Sequence, residues 1–167
     1  AAAVGFESLK INTVVMRDIN DDEIVDLVDF GRKVGAEVRF IEYMDVGGAT
    51  LWQPQRVYAR EEILDRLENH YGPATAESGR GSSPAERFVL PTGDRFGIIS
   101  STTQPFCGSC DRSRLTADGL WYLCLYAHTG VDLRERVRAG ISASELATAI
   151  AEGWRQRRDR GAEERVR

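Results

Sequence analysis

Apolar and polar residues change their period several times along this chain, and each change predicts an element. Residues 10–16 (KINTVVM) are rich in β-branched side chains and predict a strand. Asn20, with Glu23 three residues on, has the form of a helix capping box. Ile24, Leu27, Val28 and Val34 follow at helical spacing, and Gly35 stands where a C-terminal cap is expected. Residues 37–44 predict a second strand. Strand, helix and strand within roughly 35 residues make a βαβ unit with parallel strands. Two parallel strands cannot cover both faces of their own sheet, so the unit is expected to pack into a larger sheet or barrel. No further clear βα repeat follows.

After residue 48 the pattern changes. Residues 60–71 predict a helix with Ile63, Leu64 and Leu67 on one face. Residues 72–85 (GPATAESGRGSSPA) are small and polar and predict a mobile loop. Residues 87–90 and 96–99 flank Thr92-Gly93-Asp94 as a hairpin. Residues 112–116 and 120–125 predict two strands joined around Ala117-Asp118-Gly119. A three-residue turn with Gly119 left-handed sets Arg112 opposite Cys124 and Arg114 opposite Tyr122. Cys110, Arg112, Arg114 and Cys124 then share one face, whereas a two-residue turn moves Cys124 to the other. A helix is expected from Ser142 to about residue 160, and the charged run 154–167 is read as its solvated, fraying end.

The chain has 167 residues, 42% of them hydrophobic, enough for one ordinary core or two small units sharing one. Net charge is −4, so no global basic field argues for nucleic acid or an anionic membrane as partner. No apolar run approaches the ~20 residues of a spanning helix, and no signal peptide is visible. Three cysteines, two of them in C-x2-C, suit a metal site in a reducing compartment better than a disulfide framework. A soluble, cytoplasmic protein is expected. The chain opens on Ala1 and its first methionine is Met16, so it is read as beginning inside a longer protein.

The cysteines fall in one run, Cys107-x2-Cys110 followed by Cys124, with Arg112 and Arg114 just after the pair. Three thiolates without a fourth leave a metal centre with one open position, and the arginines point to an anion there. Two metals fit. His128, four residues after Cys124, completes a Cys3His set for zinc in a structural or interaction module. An iron–sulfur cluster on three cysteines is the other reading. Against both stand the plainer alternatives of buried free cysteines and of arginines paired with Asp111 or Asp118.

The run FCGSCDRSRLTADGLWYLCL resembles the C-terminal cluster motif of the GTP 3′,8-cyclases of molybdenum cofactor biosynthesis, which are radical S-adenosylmethionine enzymes. LKINTVVMRDINDDEIVDLVDFGRK and VRFIEYMD resemble the same family, in order. The resemblance implies an α/β fold: the last βαβ part of an incomplete (β/α) TIM-like barrel over residues 1–45, then an α+β cluster- and GTP-binding domain over 46–167. It implies a [4Fe–4S] cluster on Cys107, Cys110 and Cys124, with GTP at its open iron. It further implies GTP contacts at Lys10, Arg112, Ser113 and Arg114, and Met44 beside S-adenosylmethionine; His128 carries no family role. The reaction implied is conversion of GTP to (8S)-3′,8-cyclo-7,8-dihydroguanosine 5′-triphosphate, passed on to cyclic pyranopterin monophosphate synthase. The family's first cluster, on an N-terminal C-x3-C-x2-C, has no counterpart among three cysteines, and the double-glycine tail is absent. The chain is therefore expected to be the C-terminal half, inactive without the N-terminal radical S-adenosylmethionine half. An unpaired sheet edge leaves that half, or a second copy in a homodimer, as its cover.

Overall fold

The computed structural model describes residues 1–45, 51–79 and 81–165. The predicted βαβ unit is present: β1 (Leu9–Val15), α1 (Ile24–Val34) and β2 (Ala36–Glu42), with β1 and β2 parallel and Leu9 paired to Ala36. Gly35 ends α1 with φ 68°, a left-handed conformation that costs glycine little. The expected capping box does not form. The Asn20 carboxamide instead accepts from the Met16 amide at 2.8 Å and donates to the Val14 carbonyl, and Asp21–Glu23 makes a short 3-10 turn ahead of α1. Asn20 thus serves the turn that leaves β1, a competing use of the same short polar side chain.

α2 (Arg60–Tyr71) crosses to the sheet's other half, which holds β3 (Thr75–Ala76), β4 (Glu86–Val89) and β5 (Arg95–Ile99). The strand order is β1-β2-β5-β4-β3. β5 runs parallel to β2, with Val38 against Phe96, while β4 and β3 are antiparallel. The third parallel strand therefore comes from this chain itself, and the sheet is continuous across the expected junction, whose residues 46–50 lie outside those described. Within 72–85, expected to be loop, Thr75–Ala76 pairs with β4 and Ala85 is buried; residue 80 is outside the described set.

Alternation explains the core. Val38, Phe40, Phe96 and Ile98 point to one side of the sheet and are covered by Ile24 and Val28 of α1 and Ile63 and Leu67 of α2. Phe88 stacks on Phe96 at 5.2 Å. Gly31 lets α1 close on β2: a Cβ there would lie 2.7 Å from Val38 Cγ2 and 2.8 Å from the Ala36 carbonyl oxygen.

The cysteine segment forms a second, smaller unit. β6 (Arg114–Leu115), β7 (Leu120–Tyr122) and β8 (Val131–Asp132) make a three-stranded antiparallel sheet, followed by α3 (Leu133–Arg138), α4 (Ala143–Gln156) and α5 (Gly161–Arg165). Arg114 pairs with Tyr122 in the predicted register, and Gly119 has φ 87°. The strands are shorter than predicted, and Arg112 lies ahead of β6 in irregular chain. The helix expected to reach residue 160 stops at Gln156, because Arg157 turns extended at ψ 131° and the chain folds back into α5. Among the described residues, no helix is long and apolar enough to cross a membrane.

Candidate functional site

Val38, Phe40 and Glu42 occupy the same buried face of β2, so the apolar alternation puts a carboxylate in the core. Glu42 is 0% exposed. It accepts from the Thr102 amide (2.9 Å), the Thr103 amide (2.7 Å), the Thr103 hydroxyl (2.5 Å) and the Arg60 amide (2.9 Å). Arg60 opens α2, where exposed N–H groups favour a negative charge. One carboxylate thus ties the end of β2, the start of α2 and the loop that carries the chain from β5 toward Cys107.

That loop delivers the cysteines to a cavity of about 330 Å³. Cys107, Cys110 and Cys124 all line it, as do Arg112 and Arg114. Ile41 and Met44 enter from the end of β2, Ile99 and Ser101 from the end of β5, and Asn12 from β1. Ser113, between the two arginines, is exposed as they are but does not line the cavity. Lys10 is exposed on the same face of β1 as Asn12, one side-chain step from the cavity but not among its lining residues. Among the described residues, no three His, Cys, Asp or Glu side chains come close enough to hold one metal ion. His128 lines a different pocket, with Cys124 but without Cys107 or Cys110.

The sulfurs sit among N–H donors. Arg112 Nε donates to Cys110 Sγ at 3.4 Å, its guanidinium lying 4.7 Å over the Phe106 ring, and the Tyr126 amide donates to Cys124 Sγ at 3.5 Å. Burial alone pushes the Cys110 thiol up, but the Arg112 amide and the guanidinium groups of Arg157 and Arg112 outweigh it and bring it down to about 7.

The turn between α4 and α5 closes over these cysteines. Arg157 donates through Nη1 to the Cys110 carbonyl and lines the cavity. Its Nε is buried without a hydrogen-bond partner, a condition that costs about 1–3 kcal/mol per group. Gly161 packs on Cys124: a Cβ there would be 3.0 Å from its Sγ and 2.6 Å from Tyr126 Cβ. Arg165 lies over the Tyr126 ring at 4.8 Å and pairs with Asp45, just beyond Met44.

Residues 36–163 match the family described as Molybdenum Cofactor Synthesis C. The chain belongs to that family. It is 55% identical over 165 residues to GTP 3′,8-cyclase 3 of Mycobacterium bovis, covering 99% of this chain and 44% of that protein. It is 39% identical over 167 residues to GTP 3′,8-cyclase of Xanthomonas campestris pv. campestris, covering 49% of it, and 39% over 163 residues to that of Aquifex aeolicus, covering 48%. The chain therefore spans about half the length of the curated relatives it matches.

In this member of the Molybdenum Cofactor Synthesis C family, sequence reasoning missed Glu42 and Arg157. Glu42 had a signal, a carboxylate at an apolar position of a strand. Arg157 had none, since a charged run gives no period by which to single out one arginine.

Proposed function

We propose that this chain holds a [4Fe–4S] cluster through Cys107, Cys110 and Cys124 and binds GTP beside it. On this reading it is the substrate-binding part of a GTP 3′,8-cyclase, a radical S-adenosylmethionine lyase of molybdenum cofactor biosynthesis. The observation that carries the reading is the shared cavity, in which three thiols and two arginines line one space at the carboxyl ends of β2 and β5. Ligands of open α/β sheets collect at such strand ends. The relatives, named GTP 3′,8-cyclases, supply GTP and its cyclisation.

The donor set suits a cluster. A single zinc ion needs its thiolates within one coordination sphere, at about 2.3 Å from the metal. In a cluster each cysteine binds a different iron, so the thiols stand apart around a larger volume. Three thiols spread around a cavity of about 330 Å³, with N–H donors turned toward the sulfurs of Cys110 and Cys124, favour the second arrangement. When bound, the cluster supplies an iron without a protein ligand, as a Lewis-acidic site for the purine.

The chain's own residues orient the nucleotide. Arg112 and Arg114, at alternate positions on one side of the segment, hold phosphate oxygens through their planar forks. Ser113 and Lys10 add contacts at the rim, and Met44 faces the side taken by S-adenosylmethionine. Fixed orientation of this kind lowers the barrier without chemistry by the orienting groups. Residues 1–45 act as barrel strands and 46–167 as the cluster- and GTP-binding domain. Three cysteines serve one cluster, so this chain does not cleave S-adenosylmethionine alone.

The test is anaerobic reconstitution of the chain with iron and sulfide, followed by equilibrium binding of GTP. About four irons and four sulfides per chain are expected, with Arg114→Ala weakening GTP about tenfold or more, as for loss of a charged hydrogen bond. One zinc and no colour would overturn the cluster assignment. Unchanged GTP affinity in Arg114→Ala would overturn the role of the arginine.

A further inference from the structure

We infer that Arg157 donates an N–H···S hydrogen bond to the iron–sulfur centre, so that the turn between α4 and α5 sets how firmly the cluster is held and how readily it is reduced. This rests on the cluster reading above and extends it to a residue outside the cysteine motif.

Arg157 is held by two contacts and by burial. Its guanidinium lies 5.3 Å over the Trp154 ring, its Nη1 donates to the Cys110 carbonyl, and its side chain is only 10% exposed. These contacts would fix an arginine of purely structural purpose. They leave the buried Nε–H without an acceptor. The nearest carboxylate oxygen, Asp159 Oδ2, is 3.9 Å away, beyond hydrogen-bond reach. The cavity that Arg157 lines holds all three thiols, which offer sulfur acceptors once they are ionised and carry iron.

The neighbouring residues of the turn repeat the pattern. Gly161 sits against Cys124, and the Arg160 guanidinium lies close by Gly108, next to Cys107. Each cysteine therefore has one residue of 157–161 against it or its neighbour. Hydrogen bonds to cluster sulfurs favour the more negatively charged, reduced state and slow loss of iron, in the way that partners of metal ligands generally tune their metal.

The experiment compares wild type, Arg157→Met, Arg157→Lys and Arg158→Met, each the full chain reconstituted anaerobically. Iron retention against a chelator and the cluster's midpoint potential are both measured. Arg157→Met should retain iron about tenfold less well, the size expected for losing a partner of a metal ligand, and its potential should fall. Arg157→Lys should recover part of both, and Arg158→Met, altered at an exposed neighbour, should match wild type. If Arg157→Met does not fold, a potential in Arg157→Lys equal to wild type overturns the inference. Iron loss in Arg157→Met at an unchanged potential assigns the residue to packing and overturns it as well. A wild-type chain that takes up no iron overturns the cluster reading and this inference together, whereas a normal wild-type cluster with an indifferent Arg157→Met overturns this inference alone.

Discussion

The five-stranded sheet and the three-stranded sheet are stabilised by different means. Among the described residues, every buried hydrophobic side chain except Trp121 precedes residue 100. The first region closes α1 and α2 over a continuous apolar core. In the second, α3, α4 and α5 carry no buried residue. Its contacts include polar caps, such as Ser142 with Glu145 at the start of α4, and an edge-on contact of Trp121 with Trp154 at 6.2 Å. A unit with so little apolar burial lacks the driving force that folds small domains, and metals commonly supply it. The proposed cluster would therefore have a structural duty as well as a chemical one, confined to the region that holds it.

The sharpest break of that comparison is Cys124→Ser. Iron uptake should fall to background, while unfolding of the five-stranded sheet, followed by urea, should change by no more than about 0.5 kcal/mol. A sheet that loses stability along with the cluster would show that the regions share one energetics. Glu42→Ala probes the other side. It strips acceptors from the amides of Arg60, Thr102 and Thr103, at about 1 kcal/mol or more for each buried donor. A loss of roughly 3 kcal/mol is expected in the same urea titration, with the cysteine loop loosened because its tether to β2 is gone.

Two glycines sharpen the contrast further. Gly31→Ala forces a methyl into Val38 and the Ala36 carbonyl and should cost about 1–3 kcal/mol of overpacking in the sheet. Gly161→Ala meets Cys124 and Tyr126 instead and should leave the sheet's urea midpoint unmoved while lowering iron uptake. The smallest effect is one of rate. In the metal-free chain, alkylation of Cys110 should rise with pH to half its maximum at about 7, because the proton leaves earlier than from an ordinary thiol near 8.5. Mass spectrometry of the labelled peptide reads this directly, and a midpoint near 8.5 would show that the arginines do not stabilise the thiolate.

What could be read from the sequence divides along the same line. α1, α2 and the strands β1, β2, β4 and β5 follow from local period, because each buries one face or stripe against a core. The pairing of β2 with β5 was not legible, since it joins residues far apart and leaves no local signature. β8 and α3 were missed because they are short and expose most of their residues, so burial imposes no period on them. The cysteine hairpin was legible to its register because Gly119 selects the turn type. The cavity was legible only in part. Its thiols and arginines form a motif, but Asn12, Ile41 and Ile99 join it through the tertiary fold, and Arg157 through a helix break inside a uniformly charged run.

The close approach of Gly161 to Cys124 also sets an order of events. A ribosome makes Cys107, Cys110 and Cys124 before it makes residues 157–161. For that interval the thiols stand open to iron and sulfide from every side. Once Gly161 settles against Cys124 and Arg157 against the Cys110 carbonyl, the turn shields these half-buried thiols on one side. Loading the growing chain should therefore be quicker than repairing the finished protein.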